Sequence, residues 1–228
     1  MRVKTYIKGF DEKLEGGFPQ NSSILIFGSP GSGKTTFCNQ FIYNGLKKGE
    51  AALYITFYAP PRVIKDRMKK FGWNIEGKII IFIDVYSWKA GGIRVDKYTI
   101  REPSDLNEFN IKVSEAIKEL KNKNLKRCTI DSLSTLFLYV PTDLALKFTS
   151  VLLGKFKLND ITQTIVIEGG VHDQATLNAL DAMSDGCVEL AYSEMLQKRI
   201  MRIRRMVNTK HSLEWFGFQI SNKGIVME

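Results

Sequence analysis

The stretch Ser22 to Thr36, SSILIFGSPGSGKTT, limits what this chain can fold into more than any other. A short apolar run, Ile24 to Phe27, leads into Gly28-Ser29-Pro30-Gly31-Ser32-Gly33-Lys34-Thr35, which fills every position of the pattern G-x-x-x-x-G-K-[ST]. The residues that follow, Thr35 to Lys48, suit a helix, with Phe37, Phe41 and Ile42 for its buried side and Gly49 as its stop. Strand, glycine turn and helix N-terminus in that order make an anion cradle. Glycines let the backbone wrap without Cβ clashes, successive N–H groups turn inward, and the helix N-terminus adds a favourable dipole. In such a loop Lys34 reaches the β- and γ-phosphates of a nucleotide and the Thr35 hydroxyl is a ligand for Mg²⁺. Ser29, Pro30, Gly31, Ser32, Gly33 and Thr36 complete the wrap around the phosphate chain.

With 228 residues, 44% of them hydrophobic, the chain can bury one substantial core, and a single domain over residues 1–228 is the simplest organisation. Cys38, Cys128 and Cys187 are scattered and odd in number, which indicates neither a disulfide framework nor a zinc site. The leading MRVKTYIKGF has no apolar leader core, and the longest apolar run, Ile79 to Ile83, is far too short to span a bilayer. The expectation is a cytoplasmic protein with no membrane partner.

A net charge of +9 favours polyanions, but lysines at 65–70 and 118–126 fit ordinary solvated helix faces. The densest basic cluster is Lys198, Arg199, Arg202, Arg204 and Arg205. Arg202 and Arg204 fall on one side of a strand, where they fit a subunit interface, a DNA groove or a charge-guarded edge equally well.

Strand-like and helix-like stretches alternate along most of the chain. After a turn-rich leading segment come the loop strand and first helix, a strand at 51–57, a helix at 61–71 opened by proline, and an almost wholly apolar strand at 78–84. Residues 86–103 read as a long loop or short hairpin. A helix at 107–120 presents Phe109, Val113, Ala116, Ile117 and Leu120 on one face, followed by a strand at 127–131, a helix at 142–157 and a strand at 164–167. Such alternation implies a mostly parallel central sheet with helices on both faces. Three strand-like runs, 186–192, 199–207 and 215–220, have no helix between them and imply an antiparallel C-terminal extension.

A phosphate loop needs an acidic residue at the end of another strand to position Mg²⁺. Asp84 ends the most apolar run, and Asp131 ends the weaker Cys128-Thr129-Ile130. Apolarity alone favours Asp84, although either carboxylate also suits a turn cap.

Taken together, the features resemble the RecA superfamily, and within it the KaiC-like ATPases. The matching pieces are Gly9-Phe10-Asp11 with Gly16-Gly17-Phe18-Pro19, the loop GSPGSGKTT, the strand ALYITF, the triplet Ile130-Asp131-Ser132, and Asn208-Thr209-Lys210-His211-Ser212 leading to Gly224-Ile225-Val226. The resemblance implies an α/β RecA-like fold that binds ATP and Mg²⁺ and assembles with copies of itself or related RecA-like subunits. It selects Asp131 as the metal acid and keeps Asp84 in reserve. His211 matches the family's tail motif and becomes a candidate nucleotide contact across an interface.

Two departures bear on turnover. KaiC-like enzymes usually end the second strand in a glutamate pair, one of which activates water; here those places hold Tyr58 and Ala59, and neither accepts a proton at neutral pH. Relatives also place a K-x-R pair at a neighbour's γ-phosphate; the matching positions hold Arg205 and Val207, so half of that element is apolar. A finger residue alone contributes about 10³ to 10⁵ in rate. Glu168 lies where relatives carry a polar γ-phosphate sensor and is the candidate catalytic acid, although a loop carboxylate before Gly169-Gly170 is the simpler reading. The expected activity is therefore nucleotide-responsive regulation or assembly with weak or absent hydrolysis. The alternatives are an active Mg-dependent ATPase and a recombinase-like, DNA-binding accessory ATPase.

Overall fold

The computed structural model describes residues 1–90 and 96–228. Its strands are β1 (Arg2–Val3), β2 (Phe18–Pro19), β3 (Ser23–Gly28), β4 (Ala51–Thr56), β5 (Ile80–Asp84), β6 (Leu125–Asp131), β7 (Thr162–Glu168), β8 (Gly186–Ser193), β9 (Lys198–Met206), β10 (Phe216–Ser221) and β11 (Gly224–Met227). Its α-helices are α1 (Lys34–Lys47), α2 (Pro61–Lys70), α3 (Leu106–Leu120), α4 (Thr142–Leu158) and α5 (Gln174–Met183). Among the described residues the main sheet runs β11-β10-β9-β8-β3-β7-β6-β4-β5. Strands β8 through β5 in that order are mutually parallel, while β9, β10 and β11 join antiparallel. This is an α/β RecA-like sheet with an antiparallel extension.

Alternation along the strands divides the core into two layers. Ile24, Ile26, Tyr54, Val166 and Val188 face α1 and α2, while Leu25, Leu53, Ile55, Ile130 and Ile165 face α3, α4 and α5. The predicted face of α3 is buried throughout, and Asp105 caps that helix by accepting from the Asn107 and Glu108 amides. Because the parallel strands point one way, their C-terminal ends share one rim, and the glycine loop leaves β3 there.

Three elements differ from the sequence reading. Helix α5 was not anticipated; it buries only Thr176 and Leu180, too little for a readable apolar stripe, although Asp173 caps it through the Thr176 amide at 2.7 Å. In the C-terminal part, β8 pairs parallel with β3 and so belongs to the parallel sheet, and the tail adds β11 as the third antiparallel strand of the extension. The leading segment pairs β1 with β2 and buries Ile7, Phe10, Leu14 and Phe18 against α1. Within 86–103 there is a short 3₁₀ turn at Ser87–Ala90 and a bridge from Thr99 to Asp84; Gly91 and Gly92 lie outside the described residues.

Strand β9 carries a bulge where Cys187 pairs with Arg205 but Val188 pairs with Ile203. The extra residue, Arg204, shifts the alternation, so Met201, Ile203 and Met206 all reach the α1 layer while Arg202, Arg204 and Arg205 share the opposite face. Arg202 and Arg204 both approach Glu189, at 2.8 and 3.8 Å, and Arg202 stacks on Trp215. No helix among the described residues is long and apolar enough to cross a membrane.

Candidate functional site

Gly28 ends β3 under the Leu190 carbonyl, where a Cβ would collide with backbone. Gly31 and Gly33 take φ of 77° and 109°, which side chains rarely adopt. Helix α1 then starts at Lys34 with no side-chain cap and no acidic residue in its first turn, so its leading N–H groups remain for an anion. Ser29, Pro30 and Gly31 are exposed at the rim, whereas Ser32 is buried and its hydroxyl has no partner among the described residues.

Lys34 is the most constrained charge of the loop. Its side chain is 5% exposed, and Nζ donates to the carbonyls of Gly28 at 2.8 Å and Ser29 at 2.7 Å and pairs with Glu168 Oε2 at 2.9 Å. Strand pairing explains the last contact. Gly28 aligns with Glu168 on the neighbouring β7, and Gly169 N donates to Gly28 O at 2.8 Å.

Asp131 ends β6, on the other side of β7, with its side chain in the α1 layer. Thr35 lies beside its carboxylate, and the Tyr54 hydroxyl lies 3.2 Å from Oδ2 and 2.8 Å from Asn39 Oδ1. Ser132, the next residue, has a buried hydroxyl without a partner among the described residues. Asp84 is elsewhere. It ends β5 at the sheet edge, four strands from β3 or roughly 19 Å, and its carboxylate caps a turn through Tyr86 N, Ser87 N and Ser87 Oγ. Apolarity alone pointed to the strand end farther from the loop.

Burial pushes the Asp131 carboxyl up from 3.8 to about 6; Thr35, Tyr54 and Lys34 oppose that rise and the Glu168 charge adds to it. A carboxyl raised in the folded state favours folding when protonated, so its contribution is fully present below about pH 4 and is lost as pH rises through about 6. Asp131→Asn is accordingly expected to melt about 5 °C above the wild type at pH 7.5 without metal or nucleotide, the gap closing near pH 4. An Asn variant that melts at or below the wild-type temperature at pH 7.5 would contradict this assignment of charge.

The remaining candidates divide. Glu168 N donates to Ser134 Oγ at 2.9 Å, and His172 Nε2 meets the same hydroxyl at 2.8 Å. Arg205 is engaged within its own chain: one guanidinium nitrogen lies 2.6 Å from Asp181 O and 2.9 Å from Ser184 O, at the C-terminus of α5. His211 sits between β9 and β10 with Nδ1 donating to Thr209 O at 2.9 Å. Among the described residues neither Arg205 nor His211 is bonded to Lys34, Asp131 or Glu168. Tyr58 is 54% exposed beside Arg67, and Ala59 is buried with its carbonyl accepting from Thr56 Oγ1.

Sequence reasoning missed Tyr54, Asn39 and Ser134. A signal existed for Tyr54, the one residue of ALYIT with a ring hydroxyl, on the alternation that faces α1. Asn39 is one helical turn past Thr35 and so shares its face.

A RecA-like sheet with a glycine loop, a buried loop lysine and a strand-end aspartate beside the loop threonine defines the P-loop class. Residues 3–228 match the sequence profile described as ATPase: KaiC, and the chain belongs to that family. Membership implies nucleotide binding. A UPF0273 protein of Thermotoga maritima is 35% identical over 99% of this chain and 95% of its own length, and a UPF0273 protein of Pyrococcus horikoshii is 32% identical over 99% and 93%. The crystal structure of a KaiC-like protein from Pyrococcus horikoshii superposes with a TM-score of 0.83 at 28% identity, covering 100% of this chain and 99% of that one.

Proposed function

We propose that this chain is one ATP-binding domain whose nucleotide sets a conformation or an assembly state with copies of itself or related RecA-like subunits, and that it hydrolyses ATP slowly. One observation carries the reading: an uncapped helix N-terminus opens on a buried Lys34, with Thr35 beside a buried Asp131. The loop amides and Lys34 would hold the phosphates, and the unpartnered Ser32 hydroxyl offers a further polar atom under the loop. Thr35 and Asp131 supply hydroxyl and carboxylate oxygens, the donor set that suits Mg²⁺. A bound Mg²⁺ would supply neutralisation of phosphate charge. Tyr54 and Asn39 orient the Asp131 carboxylate toward Thr35.

Slow hydrolysis rests on what stands around that centre. Tyr58 and Ala59 offer no base, Glu168 is paired with Lys34, and Arg205 is held at the end of α5. The test is the fate of bound nucleotide. Protein mixed with Mg·ATP and freed of excess is expected to retain ATP for hours, identified by chromatography; rapid repeated release of ADP would instead make it an active ATPase. Tyr58→Glu, at the exposed member of the pair, is expected to raise turnover tenfold or more. Unchanged turnover in that variant would mean that a missing base is not what limits hydrolysis.

The basic strand supports DNA binding less well. Arg202 and Arg204 share Glu189, which offsets part of their charge, and Arg202 already occupies the Trp215 face.

A further inference from the structure

The Lys34 ammonium has three N–H donors, and three acceptors surround it: Gly28 O, Ser29 O and Glu168 Oε2, at 2.8, 2.7 and 2.9 Å. It has no donor left for a further ligand. Two of the acceptors are backbone carbonyls of the loop itself, so neither can leave without unfolding the turn. The third belongs to a side chain. The backbone of Glu168 is pinned by its pairing with Gly28, by Glu168 N donating to Ser134 Oγ and by Gly169 N donating to Gly28 O. Close approach reinforces that pin, since a Cβ on Gly169 would sit 3.1 Å from Gly28 C. The carboxylate itself is 29% exposed, with water to rotate into. Among Lys34's partners, it alone is both charged and free to move.

We propose that Glu168 is the counterion of Lys34 whenever no terminal phosphate is present, so that the loop takes a nucleoside diphosphate readily and a triphosphate only by displacing this carboxylate. The inference rests on the reading of the loop as a nucleotide site. A β-phosphate is held mainly by backbone N–H groups of the loop and α1, which Glu168 leaves untouched, with Lys34 only a secondary contact to it. A γ-phosphate must take an N–H from Lys34 and bring its negative charge beside Glu168, where like charges repel. Triphosphate affinity is therefore lowered by the fraction of molecules in which the carboxylate has swung away. The device makes the site read the ratio of tri- to diphosphate rather than total nucleotide, and it gives Glu168 a role as a positioning residue for Lys34 rather than a catalytic one.

Calorimetric titration of the full chain with Mg·ADP and with the Mg complex of a non-hydrolysable ATP analogue tests this, in the wild type and in Glu168→Gln, Glu168→Asp and Lys34→Ala. The wild type is expected to bind the diphosphate more tightly. Glu168→Gln keeps the shape and removes the charge; it is expected to bind the triphosphate about tenfold more tightly while its diphosphate affinity moves less than twofold. Glu168→Asp keeps the charge and is expected to keep the wild-type preference. A wild type that prefers the triphosphate overturns the proposal without any variant. Equal changes for both nucleotides in Glu168→Gln, or none, also overturn it, because a merely structural contact does not discriminate between them. The underlying site is judged separately: if Lys34→Ala binds both nucleotides as the wild type does, it is the nucleotide reading of the loop that fails.

Discussion

Lys34→Ala is expected to weaken Mg·ATP binding by more than a hundredfold while leaving the protein folded. Lys34 is the one cation buried at the loop, with a side chain 5% exposed and three acceptors within 2.9 Å. Removing one partner of a desolvated charge pair costs about 2–5 kcal/mol in binding, and 3 kcal/mol is already more than a hundredfold in Kd. Folding is spared for a reason visible in the same contacts. The Ser29 carbonyl lies at an exposed rim where water can replace the ammonium, the buried Gly28 carbonyl keeps its bond from Gly169 N, and Glu168, left without its partner, can turn into solvent. The measurement is equilibrium titration with Mg·ATP alongside a thermal melt. Wild-type affinity in a folded Lys34→Ala protein would remove the loop from nucleotide binding altogether; the same loss of binding in an unfolded variant would be read instead with Lys34→Met, which keeps the aliphatic stem.

What could be read from the sequence was what is encoded locally. The loop needs glycines, lysine and threonine at fixed offsets, so its eight residues are legible wherever they stand, and the apolar strand runs are legible for the same reason. The choice between Asp84 and Asp131 was not local. Both end apolar strands, and only the order β3-β7-β6-β4-β5 places one beside the loop and the other at the sheet edge; it was the family resemblance that chose Asp131. Strand order is set by crossovers, which leave no mark on the strand that carries the aspartate. The pairing of Lys34 with Glu168 was hidden for the same reason, since it follows from the register of β3 on β7 across well over a hundred residues of chain. Helix α5 and strand β11 escaped because each is short: one buries two residues and the other has four. The β9 bulge is a third kind of omission. Strict alternation predicts Arg202 and Arg204 together but sends Arg205 to the opposite face, and one inserted residue returns it to theirs.

Below the rim the same α1 layer holds a charge that no motif signals, and its loss is expected to affect stability more than any loop substitution. Arg127, at 0% exposure, lies in β6 with its guanidinium paired to Glu50, donating to Phe41 O at 2.9 Å and stacked 4.5 Å from the Phe41 ring. Gly45 makes the space, because a Cβ there would collide with the Arg127 side chain. Glu50 is 19% exposed and sits just after α1, so the pair ties that helix's C-terminal end to the sheet beneath it. Glu50→Ala leaves a guanidinium uncompensated in the core, and breaking a buried pair from one side costs about 3–5 kcal/mol. For a chain of this size that is a fall in melting temperature of about 10 °C. Replacing both partners, Glu50→Ala with Arg127→Met, is expected to recover much of the loss, since an apolar side chain of similar length fills the space under Gly45 without a charge to satisfy. Thermal melts of the two single variants and the double variant close the cycle. If the double variant falls by the sum of the singles, the two residues do not act as a pair, and the attachment of α1 to β6 has to be sought in its apolar contacts, Phe41 and Ile42 first.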